Sequence, residues 1–413
     1  MTSHSVVCSQ IGAREHYAVP RALSRLGRLD TLFTDLWTSP RWLIPFGGVA
    51  AGRRIATRWH AEIPDDRVVA FTRSALLDAA AGFWRRPQSI DESFLEHLHV
   101  GERFARNTRA RLVKRIPSSG PPSAFFSYTT GALEALDFLA DCGTPTIVDQ
   151  IDPARTEDEI ARREAALWPG WMAMPGGIPE VYFERLAAEW KRASIVIVNS
   201  EWSKSGLLAQ GVPEEKLRVL PLAYDPPVAA GRKESTSPEK KILWLGQVVL
   251  RKGIQYLISA AKMLQAERLR FVVAGPIAIS PEAVGSAPSN MSFIGPVTRD
   301  RISSLYQSAD LFVFPTLSDG FGVTQLEAMA HGLPVIATAH CGEVVNHGED
   351  GRIVPARDPN ALAQAIVDLA FDAKRLDSMS AAAIETSKRF SVDVLSRRLQ
   401  SILDELPVRT EPS

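Results

Sequence analysis

Short apolar runs rich in β-branched and aromatic residues alternate with longer stretches of helical character, and the alternation breaks only once. Five runs precede the break, at 6–10, 30–34, 123–128, 145–149 and 193–200. Five follow it, at 242–246, 269–275, 291–295, 310–315 and 334–338. A run that is apolar at every position has both faces buried. Strands of that kind separated by helices form parallel sheets covered on both sides. The break, "YDPPVAAGRKESTSPEKK" at 224–241, is rich in Pro, Gly, Ser and charge and has no apolar period, so it reads as a linker. The predicted fold class is α/β, with two doubly wound Rossmann-like domains facing a central cleft. The first covers 1–223 and the second starts at 242. A chain of 413 residues accommodates two domains of this size.

The bulk properties exclude little. Lys+Arg and Asp+Glu both total 47, so the balance gives no sign of a nucleic-acid partner. Cys8, Cys142 and Cys341 are far apart and form no CxxC pair, which fits a reducing compartment better than a disulfide framework or a zinc site. The opening "MTSHSVVCSQIGAREHY" lacks a basic start followed by an apolar run, and no stretch reaches the ~18 apolar residues of a spanning helix. A cytoplasmic location is the expectation.

In doubly wound sheets, ligands bind beyond the carboxyl ends of the strands, at helix N-termini. The richest such position is "PTLSDGFGVTQLEAMAHGLPVIAT" at 315–338. It reads as strand, tight turn, then a helix that stops at Gly332 with Pro334 just beyond. Gly320 and Gly322 let the backbone approach a ligand, and the helix start offers N–H groups and a positive dipole end to a phosphate. Glu327 lies about five residues into the helix, on the order of 7 Å along its axis. A phosphate there would repel it, but a pair of ribose hydroxyls would suit a carboxylate that accepts two hydrogen bonds. Asp319 lies before the turn. The spacing therefore fits one elongated ligand, a nucleoside diphosphate with a group attached beyond it. The same residues also describe an ordinary glycine turn with a solvent-facing glutamate. A dinucleotide fingerprint fits poorly, because Gly320-x-Gly322-x-x leads to Gln325 and not to a third glycine.

A second element points the same way. "ILWLGQVVLRKGIQYLI" ends a strand at Gly246 and starts a helix after Gly253, with Arg251 and Lys252 at the turn. Two cations there would neutralise a diphosphate.

Together these residues resemble the E-x7-E signature and the phosphate-binding Gly…Lys-Gly loop of retaining GT-B glycosyltransferases of family GT4. The segments "FIGPVTRDRISSLYQSADLFVFPT" and "CGEVVNHGEDGRIVPARDPNALAQAI" resemble those that flank the signature, and the likeness runs from about 195 to 390. The resemblance implies a GT-B architecture with an acceptor-binding N-terminal domain. It implies a nucleotide-sugar donor domain over 242–390, and a last helix within 391–413 that returns to the first domain. It places Glu327 at the ribose, and Asp319 near the donor sugar and β-phosphate. Lys252 and Arg251 would face the diphosphate, with Gly246 and Gly320 in the loops and backbone N–H groups at Phe321, Gly322 and Val323. Pro296 and Val297 would border the base. The loop "GAREHY", opening at Gly12, would face the cleft and touch acceptor or diphosphate. His331 and His340 read as caps or surface residues.

Three departures stand out. The first signature carboxylate is Asp319, one methylene shorter than the usual Glu. Gln247 replaces a usual arginine, and Asp149, Gln150 and Asp152 stand where many members have a histidine. They leave room for an inactive nucleotide-sugar-binding or scaffold subunit, or for another GT-B enzyme such as a sugar-nucleotide epimerase. The expected reaction moves a sugar, with retention, to a hydroxyl of a glycan or lipid-linked acceptor, in cell-surface polysaccharide assembly. The leaving phosphate can take the hydroxyl proton, so no strong base is required. No D-x-D follows a strand, so no essential divalent metal is expected. The mixed aromatic, apolar and arginine-bearing segment 37–60 is a candidate for peripheral contact with an anionic membrane.

Overall fold

The computed structural model describes residues 5–38, 57–84, 87–225 and 237–406. Most of the segment 37–60 and most of the linker lie outside the described residues.

Two parallel sheets form, one on each side of the linker. The first has seven strands in the order β3-β2-β1-β4-β5-β6-β7. These are β1 (Val6–Gln10), β2 (Leu29–Thr34), β3 (Val68–Ala70), β4 (Ala124–Tyr128), β5 (Thr146–Gln150), β6 (Ile195–Val198) and β7 (Leu217–Val219). The second has six strands in the order β10-β9-β8-β11-β12-β13. They are β8 (Lys240–Leu245), β9 (Leu269–Ala274), β10 (Met291–Gly295), β11 (Leu311–Phe314), β12 (Val335–Ala337) and β13 (Gly351–Ile353). Every ladder pairing is parallel.

The continuous apolar runs are explained by what lies on each face. In β11, Leu311 and Val313 enter one core while Phe312 and Phe314 enter another on the opposite face. In β1, Val6 and Cys8 face one core and Val7 the other. With both faces covered by helices, most strand positions are apolar, and the polar exceptions, such as Ser9, Gln10, Asp149 and Gln150, lie at or near the carboxyl ends of β1 and β5.

Strand order reverses between β1 and β4 in the first sheet and between β8 and β11 in the second. Chain ends diverge at such a switch point and leave a crevice beyond the strands. Arg251 and Lys252 follow β8, and Asp319 follows β11, so the crevice of the second sheet holds these residues. The helix Val392–Asp404 packs Val392, Leu395, Leu399 and Leu403 into the core of the first domain. The two chain crossings lie side by side, where Tyr224 N–H donates to the Phe390 carbonyl at 2.8 Å. No described helix is long and apolar enough to cross a membrane.

Candidate functional site

The loops after β8 and β11 are pressed together at the switch point. The Leu317 N–H donates to the Arg251 carbonyl at 2.8 Å. Gly253 has φ +74°, and a Cβ there would overlap the Pro315 carbonyl, so glycine is required. This contact brings the Lys252 ammonium onto Oδ2 of Asp319, as an ion pair whose side chains are mostly buried. The Lys252 ammonium also stands 5.4 Å from the Phe314 ring centroid. Burial and then the Arg251 guanidinium lower the Lys252 pKa well below its usual value, and Glu157 opposes the shift.

Asp319 also turns back on its own loop. Its Oδ1 accepts from Phe321 N–H at 3.2 Å and Gly322 N–H at 3.0 Å. Two of the three N–H groups expected to face a phosphate are thus occupied by the aspartate. Phe321 is itself buried and packs against Phe390. Gly322, with φ +75°, caps the helix Val323–Ala330, and a Cβ there would strike the Phe314 ring.

Gly320 serves a different purpose from the one expected. A Cβ at this position would overlap the carbonyl oxygen of Ile151, in the other domain. Its own carbonyl accepts from Ser200 Oγ at 2.6 Å and Ser203 Oγ at 3.3 Å. The close approach that demands glycine is between domains, not toward a ligand.

Arg251 likewise reaches across the cleft. Its guanidinium lies 3.3 Å from Oε1 of Glu157, on the helix Arg155–Leu167 of the first domain, and donates to the Ser318 carbonyl at 3.3 Å. Burial raises the pKa of Glu157, and Arg251 works against that shift.

Glu327 lines a cavity of about 370 Å³ between the domains. Its Oε2 accepts from Tyr306 hydroxyl at 2.9 Å. Burial raises its pKa, while Tyr306 and Arg299 oppose the shift. Arg299, Ile302 and Ser303 share the cavity wall. Pro296 and Val297, expected at the base, are not among the lining residues. The first domain contributes Glu15 and His16. Glu15, His16 and Tyr17 all have left-handed backbones, with φ of 47°, 55° and 61°. Three consecutive non-glycine residues in that region constitute local strain of the kind found at ligand-facing loops. Burial pushes the Glu15 carboxyl up to about 7, opposed by Arg14.

Other expected residues are engaged elsewhere. Gly12 has φ +80° and its N–H donates to Asp35 at 2.8 Å, so it builds the loop rather than offering its N–H to a ligand. Gly246 directly follows β8 and its N–H donates to the Ala274 carbonyl at 3.0 Å. His331 is the buried C-cap of the Val323–Ala330 helix, with ring contacts to Ser303 and the Glu327 carbonyl at 2.9 and 2.8 Å. His340 is neither a cap nor a free surface residue, because it stacks on Trp202 of the first domain at 4.2 Å. Sequence reasoning missed Glu157, Ile151 and Ser200, for which no local pattern gives a signal.

Two Rossmann-like domains facing one cleft define the GT-B class of fold, and this chain is a GT-B protein. Residues 239–372, within the C-terminal domain, match the family model of glycosyl transferases group 1. A D-inositol 3-phosphate glycosyltransferase of Xylanimonas cellulosilytica is 29% identical over 247 residues, covering 53% of this chain and 59% of the relative. An amylovoran biosynthesis glycosyltransferase of Erwinia amylovora is 25% identical over 217 residues, covering 48% and 53%. The chain spans between 28% and 59% of the length of the curated relatives it matches here. Among solved structures, Anabaena HepE in complex with UDP and glucose superposes with a TM-score of 0.61, at 14% identity over 98% of this chain and 100% of that one.

Proposed function

We propose that the protein is a retaining glycosyltransferase. It moves a sugar from a nucleoside-diphosphate sugar to a hydroxyl of a glycan or glycolipid acceptor, in polysaccharide or glycoconjugate assembly. One observation carries the reading. The two switch-point loops of the C-terminal sheet meet at Lys252 and Asp319, while Glu327 faces a cavity further along the next helix. The group 1 match over these residues supports it, as do relatives named as glycosyltransferases and a like-folded protein that binds UDP.

In the reaction, the bond from the anomeric carbon to the phosphate oxygen breaks and a bond from the acceptor oxygen to that carbon forms. The hydroxyl proton passes to the departing diphosphate. Negative charge grows on the diphosphate, so Lys252, Arg251 and the Val323 helix start have most to stabilise in the transition state. Glu327 holds the ribose, and the Arg299 side of the cavity takes the base. Closure of the domains excludes water. The reading places the protein in the cytoplasm, with the sequence segment 37–60 as the candidate for peripheral membrane contact.

The test is thermal stabilisation by UDP, GDP and ADP, since a ligand bound only to the native state raises its melting temperature. One nucleotide is expected to raise it, and Glu327→Ala to remove the rise. If no nucleotide shifts the transition, the donor reading is wrong. A second reading, a binding subunit without turnover, is favoured by Lys252 and Arg251 both being engaged by carboxylates. Hydrolysis or transfer of the donor sugar by purified protein would eliminate it.

A further inference from the structure

We propose that a second cavity, which Arg251 lines and Glu327 does not, is the acceptor site, and that it accepts an uncharged saccharide while turning away a phosphorylated one. The proposal deepens the glycosyltransferase reading and rests on it. The cavity measures about 550 Å³, within the range that encloses small ligands. On the N-terminal side it is walled by the helices Ile90–Ser119 and Arg155–Leu167, and on the other by residues 247–251 after β8. Its contact with Gln247 and Arg251 puts an occupant's hydroxyl next to the diphosphate end of the donor.

The lining has two chemistries. Phe94, Met172, Met174 and Leu250 offer an apolar wall. Asp152, Glu157 and Asp158 offer carboxylates. A sugar ring matches both, because its C–H face packs on aromatic and thioether groups while its hydroxyls donate to carboxylate oxygens. The charge balance argues against an anion. Arg162 and Arg251 are the cations among the described lining residues, and each is already bound. The Nε of Arg162 lies 2.6 Å from Asp158, and Arg251 lies 3.3 Å from Glu157. A phosphate would face three carboxylates against two guanidiniums whose charge is already balanced by Asp158 and Glu157, so its net electrostatic attraction to the pocket is poor.

The experiment is saturation-transfer NMR on the full chain with UDP present. The probes are methyl α-D-glucopyranoside, methyl α-D-mannopyranoside, methyl β-D-galactopyranoside and maltose, with glucose 6-phosphate as the anionic member. At least one neutral probe is expected to bind, and glucose 6-phosphate roughly tenfold or more weakly. Ala161→Trp, which fills the cavity from the Arg155–Leu167 helix, should remove the neutral signal, with UDP stabilisation reporting that the variant is folded. Glu157→Gln should narrow the gap between neutral and phosphorylated probes. The proposal is overturned if glucose 6-phosphate binds as well as the neutral sugars, if Ala161→Trp leaves their signals intact, or if none of them binds. Binding of a neutral probe without any UDP stabilisation sinks the donor reading and leaves this pocket standing.

Discussion

The joint between the domains is built around one carboxylate, Glu164. It lies on the Arg155–Leu167 helix, which belongs by sequence to the first domain, yet it is 0% exposed and its partners are in the second. Its oxygens accept from Gln255 Nε2 at 2.9 Å, Tyr256 hydroxyl at 2.9 Å and Arg357 Nε at 2.6 Å. Around it, Trp168, Trp171 and Met172 lie on the core of the C-terminal domain. Glu164→Ala removes one partner from a buried ion pair, which costs about 3–5 kcal/mol. It also strands two neutral donors at about 1–3 kcal/mol each. These terms share one network and do not add. The Arg357 side chain is 26% exposed, so water relieves part of its loss. The expected cost is about 4 kcal/mol.

Urea unfolding followed by tryptophan fluorescence measures it, because Trp168 and Trp171 sit at the joint and Trp168 packs edge-on to Tyr256 at 6.0 Å. The variant should show an early transition in which the tryptophans report loss of the joint before the sheets unfold. Glu164→Gln keeps the shape and should lose less. Stability of Glu164→Ala within about 0.5 kcal/mol of the parent would refute the reasoning, since only a surface substitution behaves that way.

Two further outcomes follow from the same contacts. Gly320→Ala puts a methyl group into the Ile151 carbonyl, so calorimetry should show a lowered melting temperature, while UDP, which the proposed function assigns to the C-terminal domain, should still raise it. The Glu15 carboxyl has a folded pKa of about 7, above its ordinary 4.5. The folded state therefore holds its proton more tightly, and the stability this provides is complete below about 4.5 and lost as pH rises through about 7. A melting-temperature profile from pH 4 to 8 should be flatter for Glu15→Gln than for the parent.

What the sequence disclosed follows from how locally each feature is encoded. All ten apolar runs became strands, because burial on both faces leaves a mark at every position. The strands that escaped, β3, β7 and β13, are three residues long and lie at or toward sheet edges, too short to show any period. In the site, Lys252, Asp319 and Glu327 were legible because each follows a recognisable strand by a fixed interval. Glu157, which engages Arg251, is 94 residues away in sequence, and Glu164 is 91 from Gln255. Helix periodicity carries no information on what a carboxylate meets in another domain. Gly320 was expected to let the backbone approach a ligand, but the close approach is to the Ile151 backbone, and glycine spacing alone cannot tell the two apart.

The shorter carboxylate at 319 has a consequence opposite to simple loss of reach. An aspartate two or three residues before an N–H can fold back onto it, as in an Asx-turn. Asp319 does so toward Phe321 and Gly322 while its other oxygen holds Lys252. On the proposed donor reading it thereby occupies the cation and N–H groups offered to a diphosphate, so an incoming donor would have to displace it or share with it. Asp319→Asn keeps a carbonyl oxygen for the turn but releases Lys252 and removes a negative charge beside the phosphate. At an effective dielectric near 20, one such charge at about 6–8 Å is worth roughly 2 kcal/mol before salt screening. UDP affinity should therefore rise by about tenfold, which is ~1.4 kcal/mol. Turnover should fall if the carboxylate also serves the transition state. Titration calorimetry of UDP at low and high salt tests the point, and the gain should shrink at high salt. A tenfold loss of affinity in Asp319→Asn would mean that the aspartate orients Lys252 for the phosphate rather than competing with it.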